Sequence, residues 1–295
     1  MSDVTRLLQA LLNGEDIGNF EPKSRIEAYL KNCCLASGVG GLPEPITETD
    51  ALLYQLAEKL GTGGGGAKEP YIEETYDANG NLIDVNLVGY TAIRPYAFQY
   101  CHNLALTSLP SGITSIGGYT FHYCQNLALT SLPSGITSIG NYTFYNCRNL
   151  ALTSLPSGIT SIGEKAFENC AKIALTSLPS GITSIGNYAF KDCQNLALTS
   201  LPSGITSIGG YTFGSCRNLA LTSLPSGLTS IESYAFRGCT GLTSITFQGK
   251  PNSIGTNVFY DCTNLKTINV PWASGEVANA PWGAPKATIN YNYTG

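Results

Sequence analysis

This chain is poor in charge, in histidine and in long apolar runs. Only 12% of its 295 residues are Asp, Glu, Lys or Arg. Residues 1–67 hold five Lys/Arg and nine Asp/Glu, so they carry the whole net charge of −4, and the remainder holds eleven of each. No basic stripe exists, which excludes nucleic acid and anionic lipid as expected partners. The only histidines are His102 and His122. Neither sits in a spacing with a nucleophile or a metal-ligand partner, so no catalytic residue, cofactor or metal is expected. No apolar run approaches the roughly 18–20 residues of a membrane helix, and membrane insertion is not expected. The N-terminus lacks a basic segment, a long apolar segment and a small-residue cleavage site. The expectation is synthesis in the cytoplasm without a secretion signal. A hydrophobic content of 43% excludes a disordered chain.

What the chain has in abundance is repetition. Phe recurs every 23 residues at 98, 121, 144, 167, 190, 213, 236 and 259, and Cys follows three residues later each time. The string LTSLPSGITSIG starts identically at Leu106, Leu129, Leu152, Leu175 and Leu198, and an altered copy starts at Leu221. A fixed period of this size means a solenoid or array, whose coils bury an apolar side only by stacking. Each unit reads as a strand, a turn, a second extended segment and a short helical or 3₁₀ return. Gly112 is expected to permit a tight turn. Equivalent cysteines stack at the strand spacing of about 4.8 Å, and a ladder of buried thiols is the simplest reading.

Four regions follow. Residues 1–60 read as a small helical module, with a capping box at Ser24-Arg25-Ile26-Glu27 and adjacent thiols at Cys33 and Cys34. Three short helices form a thin core, which points to attachment or self-association through this module as well as to an independent bundle. Residues 61–69 are a Gly-rich linker. Residues 70–270 form the solenoid, opened by a hairpin whose Asn79-Gly80 suits a type I′ turn. Asp77, Asn79, Asn81 and Asp84 lack the spacing of a calcium loop. Residues 271–295 leave the period and read as a cap, with the only tryptophans, Trp272 and Trp282.

The pattern L-x-x-I-x-L-P followed by I-G-x-x-A-F-x-x-C resembles the BspA-like class of bacterial leucine-rich repeats. That resemblance implies an α+β solenoid: a right-handed coil with a parallel sheet on its concave face. It also implies adhesion or binding of a cell-surface protein or glycan. Together with the head, linker and PW…APWG tail, the repeats resemble gut-bacterial prophage proteins. This suggests a virion-associated or surface spacer anchored by the helical module.

Two sets of residues are candidate contact sites. Outer coils carry Val85, Ile245 and Ile268 where middle coils carry Thr107 and its equivalents. The outer pattern favours a register with Thr107 inward. It would leave Leu106, Leu129, Leu152, Leu175, Leu198 and Leu221 exposed beside Ser108, Ser131, Ser154, Ser177, Ser200 and Ser223. The alternative register turns Leu106 in and Thr107 out. The second set is a column of Tyr96, Tyr119, Tyr142, Tyr188, Tyr211 and Tyr234, suited either to mutual packing or to ligand stacking. The variable positions 118 and 122 and their equivalents are expected to face solvent.

Overall fold

The computed structural model describes residues 71–294. The expected helical module and linker lie outside the described residues. β1 (Tyr71–Tyr76) and β2 (Leu82–Val88) form an antiparallel hairpin. The chain then winds through a β-solenoid of about nine parallel turns. Its strands are β3 (Ala92–Ile93), β4 (Ser115–Ile116), β5 (Ser138–Ile139), β6 (Ser161–Ile162), β7 (Ser184–Ile185) and β8 (Ser207–Ile208), followed by β9 (Ser223–Leu224), β10 (Ser230–Ile231), β11 (Ser244–Phe247), β12 (Ser253–Ile254), β13 (Thr267–Asn269) and β14 (Thr288–Asn290). The two-residue Ser-Ile strands pair in parallel, serine with serine and isoleucine with isoleucine, as in β5, β6 and β7. Each isoleucine faces in and each serine faces out, the period-2 alternation of a half-buried strand.

A second sheet, β9-β11-β13-β14, runs along another side, and only in the C-terminal coils. In the middle coils the equivalent LTSL segment is not a regular strand. The backbone bends at Thr130, Thr153, Thr176 and Thr199. The bend puts Thr and Ser outward together and drives the leucines on both sides inward. Leu106, Leu129, Leu152, Leu175, Leu198 and Leu221 are all buried, so the expected exposed leucine column does not exist. The register favoured from the outer coils is corrected for a physical reason. An inward Thr or Ser would bury a hydroxyl among hydrocarbon without a partner. The outer coil Leu242-Thr243-Ser244-Ile245 solves the same problem two residues earlier, with its bend at Thr243 and Ile245 buried.

The return segment contains no helix. Among the described residues there is neither α- nor 3₁₀-helix. The return is a run of turns in which two residues per coil adopt left-handed φ, as at Tyr119 (59°) and Tyr123 (63°) or Lys165 (51°) and Asn169 (62°). A non-glycine residue in that region costs roughly 1–2 kcal/mol. The compensation is a third hydrogen-bond ladder. The N–H groups of Tyr119, Phe121 and Tyr123 donate to the carbonyls of Asn141, Thr143 and Tyr145 in the next coil, at 3.0, 2.9 and 2.8 Å. A helix would spend those donors within its own coil and leave the stack unpaired.

Inside, the phenylalanines form a continuous stack from Phe98 to Phe259, with neighbouring centroids 5.4–5.8 Å apart. The eight repeat cysteines are free thiols. Each buried Sγ donates to the carbonyl of a Phe in the preceding coil, as Cys170 does to Phe144 at 3.0 Å. Burial raises the pKa of Cys147, Cys170, Cys193, Cys216, Cys239 and Cys262, to about 12 at Cys262.

Residues 271–294 close the stack. Trp282 is fully buried and its carbonyl accepts the Phe259 N–H at 2.9 Å, the bond that another coil would make. Trp272 and Trp282 pack on Phe247. The opening hairpin differs from the type I′ expectation. Only Gly80 has positive φ, and both Asp77 carboxylate oxygens bond within the loop, to the N–H groups of Asn79 and Asn81 and to the Asn81 amide. That leaves the Asp77 carboxylate committed to shaping the turn.

Candidate binding faces

The bend in each middle coil creates one candidate face. Thr107, Thr130, Thr153, Thr176 and Thr199 are exposed, and so are Ser108, Ser131, Ser154, Ser177 and Ser200. Ser223, in the last copy, is half-buried. Among the described residues, the hydroxyls of those five threonines and five serines make no hydrogen bond to the protein. Hydroxyls around the corner behave differently. Those of Thr114, Thr160, Thr183 and Thr229 donate back to the carbonyls of Thr91, Thr137, Thr160 and Thr206. The bent segment thus presents two parallel columns of unclaimed, uncharged donors and acceptors.

The tyrosine column forms the second face. Tyr96, Tyr119 and Tyr142 stack with centroids 4.9 and 4.6 Å apart, and Tyr188, Tyr211 and Tyr234 at 5.1 and 4.9 Å. Lys165 fills the break between the two groups. Its ammonium lies 5.1 Å from the Tyr142 ring centroid and 5.2 Å from that of Tyr188, so a cation–π rung joins the halves. Since the ring faces are spent on one another, the column presents edges and hydroxyls outward. Of the two readings the sequence left open, the geometry shows mutual packing.

Position 122 and most of its equivalents depart from the expected solvent-facing column, while Arg237 is exposed as expected. His122 and Glu168 are buried, and Tyr145 and Lys191 are half-buried. Side chains at this position lie along the stack and touch their counterparts one coil away. His122 stacks on Tyr145 with centroids 5.0 Å apart, and Burial lowers the pKa of His122. Lys191 bridges Glu168 at 2.7 Å and Asp192 at 3.0 Å. Burial works against the Lys191 ammonium, but the two carboxylates outweigh it and raise its pKa. Glu168 Oε2 is buried without a partner. Position 118 has a function that the sequence did not reveal. The Asn141 and Asn187 side-chain oxygens accept the N–H groups of Glu164 and Gly210 in the next coil, at 2.9 and 3.1 Å.

Among the described residues no group of three or more His, Cys, Asp or Glu is placed to hold a metal ion. Among the described residues no helix is long and apolar enough to cross a membrane.

The family model described as BspA type Leucine rich repeat region matches this chain over residues 91–220 and 160–279. The chain belongs to that family. In this BspA-type protein the matched span covers the bent segments, the Phe-Cys core and the left-handed returns. The chain is also similar to solved structures. One is a leucine-rich repeat protein from Bacteroides ovatus (22% identity, 77% of this chain and 76% of that chain, TM-score 0.41). Another is a leucine-rich repeat protein from T. pallidum (24%, 66% and 87%, 0.43). A third is a leucine rich cell surface protein from Faecalibacterium prausnitzii (19%, 78% and 97%, 0.37). No curated protein matches.

Proposed function

We propose that this BspA-type solenoid is a non-enzymatic binding protein that holds a cell-surface protein or glycan against its hydroxyl face. The observation that carries the reading is the pair of exposed Thr and Ser columns whose hydroxyls have no partner within the protein. The face is uncharged and repeats coil after coil. It suits an extended ligand that meets the same donors and acceptors many times, with affinity built from many weak contacts. Screening the full chain against arrays of surface proteins and of glycans tests this. Binding should weaken when Thr130, Ser131, Thr153 and Ser154 are changed together to alanine. Absence of any ligand at high concentration would favour a second reading, a rigid spacer. The unbroken Phe stack and three inter-coil ladders support that alternative, because they stiffen the coil array along its length.

A further inference from the structure

Two departures from the repeat fall next to each other in space. Along the column that begins at Gly117, the residues are Gly140, Gly163, Gly186, Gly209, Glu232 and Gly255. Glycine is required at most of these positions by close approach. A Cβ at Gly163 would lie 2.5 Å from Asn141 Oδ1, one at Gly186 2.5 Å from Glu164 N, and one at Gly209 2.0 Å from Asn187 Oδ1. Glu232 breaks the rule. It is accommodated where the preceding coil has Gly210 instead of the asparagine found at 141 and 187. The carboxylate reaches into the space this asparagine would fill, and Glu232 Oε2 accepts the Gly210 N–H at 2.8 Å. Asn187 Oδ1 accepts the same N–H at 3.1 Å.

The result is an open groove of about 540 Å³ at the corner between the Ser-Ile strands and the tyrosine column. Its lining includes Asn187, Tyr188, Tyr211, Ser230, Glu232 and Ser253. Much of their hydrogen-bonding capacity is unclaimed by the protein: the Asn187 amide NH₂, Glu232 Oε1, the Ser230 and Ser253 hydroxyls, and the Tyr188 and Tyr211 phenols. Donors and acceptors both line the groove. One carboxylate disfavours phosphate, sulfate and acidic sugars. No deep apolar pocket receives a side chain, and the tyrosine faces are already stacked.

We infer that this groove is a discrete binding subsite for a neutral saccharide. Glu232 Oε1 accepts a sugar hydroxyl, the Asn187 NH₂ donates to one, and the serine and tyrosine hydroxyls do either. The subsite is separate from the hydroxyl columns and lies where the period fails. The inference therefore goes beyond the extended contact proposed above.

The test uses the full chain on an array of neutral oligosaccharides, with titration calorimetry of the best-bound one. Two variants remove the subsite differently. Gly210→Asn/Glu232→Gly restores the pairing that Asn141 makes with Gly163 and Asn187 with Gly209, and so removes both departures without a clash. Glu232→Ala removes the acceptor. Both should weaken saccharide binding by roughly tenfold or more, as loss of a hydrogen bond to a charged group does. Their unfolding midpoints show whether the fold is kept, and two independent variants guard against one that misfolds. Ser131→Ala/Ser154→Ala on the other face should leave this affinity unchanged. Binding that survives both groove variants overturns the inference, and so does an array with no bound neutral oligosaccharide. If the serine variant loses the ligand instead, the hydroxyl-face reading stands and the groove subsite fails.

Discussion

Residues in this protein act mostly through their counterparts one coil away. Lys165 is the clearest example, since its ammonium replaces a ring between Tyr142 and Tyr188. Each aromatic or cation–π contact contributes about 0.5–1.5 kcal/mol beyond area burial. Lys165→Ala should therefore lower stability by roughly 1–2 kcal/mol in urea unfolding, whereas Lys165→Tyr should be nearly neutral. The thiols make a second case. Cys124, Cys147, Cys170, Cys193, Cys216 and Cys239 are buried, and burial raises the pKa of Cys147, Cys170, Cys193, Cys216 and Cys239. Alkylation followed by peptide mass mapping should modify those six only as the protein unfolds, and Cys101, half-buried at the first coil, sooner. His122 sets a pH dependence. Its folded-state pKa is lowered, so the unfolded chain takes up a proton first as pH falls. Stability is full above the ordinary histidine pKa and declines as pH drops through it. His122 is ringed by Tyr100, Tyr119, Tyr123, Tyr142 and Tyr145, with Gln99 at its Nδ1. Replacing His122 with Phe should flatten the loss of melting temperature between pH 7 and pH 5.

At the scale of the element, what matters is where a coil tolerates volume. Gly112 and Gly163 occur in equivalent-looking turn contexts, but the structure separates them. A Cβ at Gly112 would meet only the Tyr90 carbonyl oxygen at 3.8 Å, and the residue's φ is not positive. A Cβ at Gly163 would sit 2.5–2.7 Å from Asn141 and Gly140. Gly112→Ala should be neutral or slightly stabilising, and Gly163→Ala should cost about 1–3 kcal/mol by urea denaturation. The sequence points to Gly112 for the turn, since spacing along one coil shows a turn but not the coil beneath it. The return departs from the helical expectation for a related cause. Short runs such as Tyr119 to Cys124 look helical in isolation, but their N–H groups are claimed by the next coil. The bent LTSL segment was half legible. Its composition called for a strand, and only the cost of burying a hydroxyl fixed which residues turn out.

As a whole molecule the solenoid depends on its ends. Phe259 and the last strands would be bare without residues 271–294, and Trp282 covers them. Trp282→Ala should cost about 3–5 kcal/mol and promote self-association, detected by light scattering of the full chain. Inner coils are interchangeable by comparison. Deleting residues 152–174 removes one whole period and should leave a folded, shorter array. Deleting a few residues more or less would put Phe and Cys out of line and should unfold several coils, which circular dichroism would report.

The sequence alone determined the period, the solenoid, the Phe and Cys columns and the burial of the thiols. These follow from repetition, because identical residues 23 apart have to stack on one another. Only the tertiary structure decided that Leu106 turns inward, that the return is a run of left-handed turns and that Gly210 and Glu232 open a groove together. Each of these is set by what lies one coil away: a carbonyl awaiting a donor, a hydroxyl with no partner inside, a neighbour without a side chain. Those relations run across the stack, and the linear pattern carries them only as small exceptions to its own period.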